Sequence, residues 1–333
     1  MFAVTVAFTL LATLLPVAQG QNAQVAMEYP APIQHTVDFQ SVNFTELFSY
    51  PDVMIPHTWA KETWNGVTTF ARTTPLRCFG SDADVPYDVA VLGEKVFWIY
   101  RPGTRFGPNG IRQGSRRLSV ERINVPMKLR VSDHLDVIDC GDVPMVFFDN
   151  KVALRQLEIA NAALLSHNSL RTADGQSIAK DGKFHPRVLT LGGDHTITLP
   201  LLRGVAGIYG PVSVIHFDSH LDTWKPRSML PDGGPWLPGE EIPVNHGSYF
   251  WYAHKEGLLA SNHSNIHVGI RNALGSWEDE QNDYAVDFVI SYANDIEEVG
   301  WRGIVKRIRE VVGDNPVYIS LDIDVLDPAS APA

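Results

Sequence analysis

Residues 212–222 read Val-Ser-Val-Ile-His-Phe-Asp-Ser-His-Leu-Asp, an apolar run that becomes acidic where it ends. The run Val212–Phe217 predicts a buried strand, because β-branched and aromatic residues favour a pleated sheet. Every second side chain of an extended segment points to the same side, so Asp218, His220 and Asp222 are expected on one face. Burial of polar groups costs free energy unless they are paired, so polar residues directly after a buried strand indicate a functional site.

Two other predicted strands end in the same way. Strand Arg187–Leu191 is followed by Gly-Gly-Asp-His, which ends at His195. Strand Val317–Leu321 is followed by Asp-Ile-Asp, which places Asp322 and Asp324 on one face. In open α/β sheets, ligands bind beyond the carboxyl ends of the strands. Four carboxylates and two imidazoles are therefore expected at one end of a sheet.

The rest of the chain from residue 86 alternates short β-branched runs with helical stretches, which is typical of βαβ units and a parallel sheet. Further strands are predicted at 88–92, 265–268 and 288–291, and helices at 151–166, 197–208, 276–282 and 301–312. Residues 21–85 are rich in Pro, Thr and aromatic residues and show little helical periodicity. We interpret them as an irregular N-terminal extension.

The charge of the acidic cluster favours a metal site over ordinary acidic turns. Two carboxylates about 4 Å apart repel by ~4 kcal/mol at an effective dielectric near 20, and no Lys or Arg is interleaved in the three segments. Two divalent cations would balance four Asp, and oxygen ligands with some imidazole suit Mn²⁺. The predicted metal ligands are His195, Asp218, His220, Asp222, Asp322 and Asp324. His216 is interpreted as an interior or supporting histidine, and Asp194 and Asp327 as turn-forming or supporting groups.

Residues 1–20 have the layout of a secretory signal peptide, with an apolar stretch from Phe2 to Leu15 and a small-x-small site that ends at Gly20. The alternative is a membrane anchor, but the apolar stretch is shorter than the ~20 residues that span a bilayer. We expect cleavage after Gly20, a secreted protein and no stable membrane anchor. Two Asn-x-Ser/Thr sequons, at Asn43 and Asn262, fit a glycoprotein on that route.

Composition describes a folded, acidic chain. The 333 residues are 44% hydrophobic and 20% charged, with a net charge of −11. The chain has no Lys/Arg-rich run, so nucleic acid is not expected as a partner. Cys78 and Cys140 are too few for a disulfide scaffold. They either pair in an oxidising compartment or remain two buried thiols, and the sequence leaves both alternatives open.

The three acidic segments resemble those of the ureohydrolase family of arginases and agmatinases. The resemblance covers residues 66–333 and includes Arg-Pro-Gly-Thr-Arg-Phe-Gly-Pro over 101–108 and Asn-His-Gly-Ser-Tyr-Phe over 245–250, which are similar to the agmatinase branch. It implies an α/β fold of three layers, α/β/α, around a central parallel sheet. The expected domains are a signal peptide (1–20), the extension (21–85) and a ureohydrolase catalytic domain (86–333).

The resemblance also implies a mechanism. One Mn²⁺ would be held by His195, Asp218, Asp222 and Asp322, and a second by Asp218, His220, Asp322 and Asp324. His246 would be the catalytic proton shuttle to the leaving amine. The substrate would be a small cationic guanidino compound such as agmatine, cleaved to an amine and urea by attack of a metal-bridging hydroxide. The family also forms homo-oligomers.

The sequence departs from the family pattern in two places. First, residues Glu94–Tyr100 replace the Pro-Phe-Asp loop that the family has at the substrate entrance. Second, the sequence ends at Ala333, before the position of the family's glutamate that pairs with the substrate guanidinium and before the family's last strands. Three hypotheses follow: an agmatinase-like manganese hydrolase, a metal-binding member with impaired catalysis, or another amidohydrolase of related fold, such as a deacetylase-like enzyme. The two-metal ligand set disfavours the third.

Overall fold

The computed structural model describes residues 67–94, 103–146, 149–171, 177–226 and 244–331. The predicted signal peptide, the Asn43 sequon, most of the extension and the segment after Glu94 lie outside these ranges. Within them, no helix combines the length and the apolar character that a bilayer crossing requires.

The described ranges contain ten strands and six helices of more than one turn. The strands are β1 (Thr74–Pro75), β2 (Val89–Gly93), β3 (Ile123–Asn124), β4 (Leu129–Arg130), β5 (Val137–Asp142), β6 (Arg187–Leu191), β7 (Ser213–Phe217), β8 (Asn265–Ile270), β9 (Phe288–Tyr292) and β10 (Val317–Leu321). The helices are α1 (Gly107–Gly114), α2 (Asn150–Leu165), α3 (Thr198–Tyr209), α4 (Tyr249–Lys255), α5 (Trp277–Ala285) and α6 (Asp295–Val312).

The strands form two four-stranded sheets in which every pairing is parallel. Their orders are β1-β5-β2-β6 and β10-β7-β8-β9, and β3 and β4 form a separate antiparallel pair. The expected α/β fold with parallel strands is confirmed, and each predicted strand is present to within two residues at either end. Within the described ranges, no strand pairing joins β6 to β10, so these parallel strands form two sheets.

Helices cover both faces of the second sheet. Side chains of β7 alternate between the faces: Val214 packs with residues of α3 and α4, including Phe250, whereas Ile215 packs with Ile308 and Val312 of α6. The three-layer expectation is therefore confirmed for this sheet. Helix α6 begins earlier than predicted and is interrupted at Gly300, whose φ of 64° lies in the left-handed region that glycine tolerates.

A cleft of about 660 Å³ lies between the two sheets and is lined by β6, β10 and α3. Large apolar side chains border it: Leu189 on β6 is 42% exposed, and Ile319 and Leu321 on β10 are 63% and 55% exposed. One face of these two strands is thus uncovered, unlike the faces of most parallel sheets.

A disulfide joins Cys78 to Cys140 on β5, with their Cα atoms 5.4 Å apart. Of the two alternatives that the sequence left open, the structure shows the pair. Both cysteines lie in the apolar core of the first sheet, beside Ile138 and Leu157.

Replacing both cysteines with Ala is expected to lower the free energy of unfolding by roughly 2–4 kcal/mol, because the cross-link restricts the unfolded chain. Urea unfolding with and without reductant measures the effect. Reductant should destabilise the wild type and leave the double variant unchanged. A wild type that is insensitive to reductant would mean that the two thiols are not paired.

Candidate metal centre

Two of the three acidic segments meet because β7 and β10 are paired in register. Phe217 is opposite Leu321, and the Asp322 amide donates to the carbonyl oxygen of Phe217 at 2.8 Å. Asp218 and Asp322, the next residues of the two strands, therefore emerge side by side.

The turn that carries His195 is fixed from two sides. The Gly193 amide donates to the buried carboxylate of Glu94 at 2.5 Å. The Asp194 side chain accepts from the Thr196 amide at 2.9 Å, so Asp194 forms the turn, in line with its sequence interpretation. Glu94 belongs to the segment that departs from the family pattern, yet it supports the metal-facing turn.

Three carboxylates surround one imidazole nitrogen. His195 Nδ1 lies 3.2 Å from Asp218 Oδ2 and 3.3 Å from both Asp222 Oδ2 and Asp322 Oδ2. A second group shares Asp218: His220 Nδ1 lies 3.2 Å from Asp218 Oδ1 and 3.1 Å from Asp324 Oδ2. All six predicted ligands are thus brought together in two adjoining groups.

Two atoms of the first group are placed where a cation could bind them. His195 Nδ1 and Asp218 Oδ2 are buried, yet neither makes a hydrogen bond of acceptable geometry. Buried polar atoms without partners are rare in folded proteins, and here they face one another across an acidic cluster. Four carboxylates with two imidazoles balance two divalent cations, and oxygen with nitrogen is a donor set that manganese accepts. The residues therefore fit a binuclear metal site.

Without metal, protons partly compensate the acidic charge. Burial opposes protonation of His195, but Asp218 and Asp222 outweigh it and raise the pKa of His195 to about 9. In the same way, burial is outweighed at His220 by Asp218 and Asp324, which raise its pKa to about 10.

These pKa values predict that manganese binding releases protons. A histidine must be neutral to bind a metal, and at pH 7.5, below both raised pKa values, His195 and His220 are protonated in the metal-free chain. Loading both sites is expected to release about two protons per chain, so apparent affinity rises with pH until the solution passes the pKa of His220. Calorimetry in two buffers of different ionisation enthalpy measures the release. Equal heats in both buffers at pH 7.5 would contradict the prediction, and the difference should vanish above pH 10.

The structure places His246 in a turn just before α4. This turn is tied to the metal segment by a hydrogen bond from the Trp224 amide to the Gly247 carbonyl oxygen at 3.0 Å. His246 is half-buried and lies outside the two groups of potential ligands. Its role as a proton shuttle stays a prediction.

Four polar residues near the ligands were not predicted from the sequence. Tyr249 donates from its hydroxyl to Asp222 Oδ2 at 2.8 Å, and Asn272 Nδ2 contacts His220 Nε2. The other two, His267 and Asp283, form a buried hydrogen-bonded pair. A histidine in the middle of the apolar strand β8 was the available signal for this pair.

A cavity of about 390 Å³ opens beside the second ligand group. His220, Trp224 and Asn272 contribute to its wall, together with apolar residues of the 270–274 segment. Its size suits a small molecule, and an aromatic wall next to carboxylates suits a cation.

Comparison with known proteins identifies the family. The sequence profile of the arginase family matches residues 87–333. The chain is 44% identical to "Putative agmatinase 1" of Schizosaccharomyces pombe over 93% of its own length and 77% of that protein. It is also 44% identical to "Putative agmatinase 3" of the same organism, over 81% of its own length and 66% of that protein. A proclavaminate amidino hydrolase structure from Streptomyces clavuligerus matches with a TM-score of 0.63 and 29% identity, over 82% of this chain and 78% of that one.

The chain therefore belongs to the arginase family. Within the family it is similar to agmatinases, so the expected resemblance to agmatinase-like ureohydrolases is confirmed.

Proposed function

We propose that this protein is a binuclear manganese hydrolase that cleaves a small cationic guanidino compound, agmatine or a close relative, to an amine and urea. The observation that carries the proposal is the pair of ligand groups that share Asp218 at the carboxyl ends of β7 and β10. The similarity to agmatinases supports the substrate class.

The ligands divide between two metal positions. His195, Asp222 and Asp218 would hold one ion, and Asp218, His220 and Asp324 would hold the other. His216 has a ring nitrogen within reach of the first position, and Asp322 lies beside His195, where it can serve the same ion. Bound manganese would supply a water of lowered pKa as nucleophile and would stabilise developing negative charge.

The chain's own residues bind and orient the substrate. Trp224 borders the cavity, and aromatic rings can bind cations, which the net charge of −11 also attracts. The cavity also exposes His220 and Asn272, so a guanidinium in it would lie against the second ligand group. His246, held in the turn next to Trp224, would carry a proton to the leaving amine, since a histidine exchanges protons near neutral pH.

Urea release from agmatine, with manganese content determined on the same sample, tests the proposal. We expect two manganese ions per chain and urea above background. Two bound manganese ions without urea would instead favour the alternative of a metal-binding member with impaired catalysis. If the chain binds no manganese and releases no urea, both the proposed hydrolase and the metal-binding alternative are refuted.

The role of His246 is tested by replacement with Ala. Loss of a positioned acid or base is expected to lower kcat about 10²–10⁴-fold with unchanged manganese content. His254 on α4 is a matched control, because it lies 3.6 Å from Asp287 and away from the ligands. His254→Ala should keep the wild-type kcat, and an equal loss in both variants would contradict the shuttle role.

We also propose that the chain enters the secretory pathway, is cleaved after Gly20 and carries a glycan at Asn262. The disulfide supports this route, because such bonds persist in oxidising compartments. Asn262 is exposed in the turn before β8, where a transferase can reach it. Secretion from eukaryotic cells, with a mass decrease on glycosidase treatment that Asn262→Gln reduces, is the expected result. Retention of an unglycosylated full-length chain in the cells would refute the proposal.

A further inference from the structure

One candidate metal ligand has a backbone conformation that residues other than glycine rarely adopt. Asp222 has a φ of 57°, which lies in the left-handed region. Aspartate tolerates this region better than most residues, but the conformation still costs free energy and persists only where the surrounding structure enforces it. Asp222 is buried, and its Oδ2 lies 3.3 Å from His195 Nδ1 in the first ligand group. The strain is therefore at the candidate metal centre itself.

Helix α4 contacts Asp222 from one side. The Tyr249 hydroxyl donates to Asp222 Oδ2 at 2.8 Å and fixes the carboxylate. The Phe250 amide donates to the carbonyl oxygen of Asp222 at 3.4 Å, which is long for a hydrogen bond and therefore weak. A firmer hold on the backbone has to come from the residue that follows.

Helix α5 holds that residue, Thr223, by two hydrogen bonds. Thr223 Oγ1 donates to Asp283 Oδ1 at 2.7 Å, and Asn282 Nδ2 donates to the carbonyl oxygen of Thr223 at 2.6 Å. Thr223, Asn282 and Asp283 are all buried, so the loss of either bond would leave polar atoms without water to replace it. Both the side chain and the main chain of Thr223 are thus anchored to one helix, directly after the left-handed residue.

We propose that Asn282 and Asp283 are positioning residues of the first metal position. By anchoring Thr223 to α5, they keep Asp222 in its left-handed conformation, with its carboxylate beside His195 before a metal binds. A ligand that is held in advance loses less freedom on binding, so this arrangement favours the metal. The inference rests on the proposed manganese site. It concerns one position only, because Asp222 is not a member of the second ligand group.

Variants of Thr223 separate the hydrogen bond from packing. Thr223→Val removes the hydroxyl with little change in shape, whereas Thr223→Ser keeps the hydroxyl, and Asn282→Leu removes the second bond. Thr73→Val is the matched control, because Thr73 is also buried and donates its hydroxyl to the Phe70 carbonyl oxygen at 2.8 Å, beside β1 of the first sheet. Asp222→Asn identifies which step of manganese binding belongs to the first position.

The measurement is the manganese-binding curve of the full chain by equilibrium dialysis. We expect Thr223→Val and Asn282→Leu to weaken by about 10–100-fold the step that Asp222→Asn also weakens, which is the usual effect of residues that support a ligand. The other step should be no weaker than in the wild type. Thr223→Ser and Thr73→Val should bind manganese as the wild type does.

Three results would overturn the inference and leave the proposed function standing. They are wild-type binding in Thr223→Val or Asn282→Leu, an equal loss in Thr223→Val and Thr223→Ser, and an equal weakening of both steps. A wild type that binds fewer than two manganese ions would overturn the inference and the proposed function together.

A second measurement needs neither metal nor a variant that folds. Backbone chemical shifts and scalar couplings of Asp222 in the isotopically labelled, metal-free wild type report the sign of its φ. A positive φ is the expected result. A negative or averaged φ would overturn the inference, because the ligand would then not be held in place before the metal binds.

Discussion

Asp218→Asn is expected to abolish the binding of both manganese ions. Asp218 is the carboxylate common to the two ligand groups, with Oδ2 facing His195 and Oδ1 facing His220. An amide is neutral and presents an N–H₂ group to one of the two positions. Affinity should fall by more than about 100-fold, since even residues that only support a ligand change it about 10–100-fold. Urea production should fall at least about a thousandfold, as several kcal/mol of metal stabilisation are lost.

Asp327→Asn provides the matched control. Asp327 belongs to the same acidic segment as Asp322 and Asp324, but it is exposed and accepts a hydrogen bond from the Ala329 amide. Metal analysis of purified Asp218→Asn should give fewer than one manganese per chain, and Asp327→Asn should retain the wild-type content. Full manganese occupancy in Asp218→Asn would refute the assignment of a shared ligand.

The largest loss of stability is expected from Arg112→Met. The Arg112 guanidinium on α1 donates from Nε and Nη2 to the two oxygens of Asp139, each at 2.8 Å, and from Nη1 to Asp142 at 2.5 Å. The side chains of Arg112 and Asp139 are only 7% and 1% exposed. Removal of Arg112 leaves the buried Asp139 carboxylate without a counter-charge, which lowers the free energy of unfolding by about 3–5 kcal/mol. Urea unfolding monitored by circular dichroism measures the loss.

Arg203→Met controls for the loss of an arginine. Arg203 pairs with Glu256 and Glu158, but its side chain is 38% exposed, so water can replace the contacts. Its removal should cost about 1 kcal/mol or less. The double variant Arg112→Met/Asp139→Leu should regain much of the loss, because no unpaired carboxylate is then buried at position 139. Equal losses in the two single variants would contradict this account.

The strands and the candidate ligands were predictable because each apolar run is a strand and the acidic residues after it lie at that strand's carboxyl end. β6, β7 and β10 are short apolar runs, and the acidic residues that follow them without any Lys or Arg between them favoured a metal site over ordinary turns. Element order followed from that pattern, and so did the expectation that the six predicted ligand side chains lie close together.

The elements that the sequence did not predict are those whose residues serve tertiary contacts. Strand β5 contains Asp139, which can be buried because Arg112 neutralises its carboxylate. Helix α1 begins and ends with glycine and includes a proline, and the low helix propensity of these residues argues against a helix there. His267 could not be linked to the metal centre until the pairing of β7 with β8 set it opposite His216.

The division of the sheet has a consequence for metal binding. His195 follows β6 of the first sheet, whereas Asp218 and Asp322 follow β7 and β10 of the second, and within the described ranges no strand pairing joins the two. A metal held by all three would be a cross-link between the sheets. Because such a metal would bind the folded arrangement and not the separated strands, it would stabilise the two sheets relative to one another by mass action.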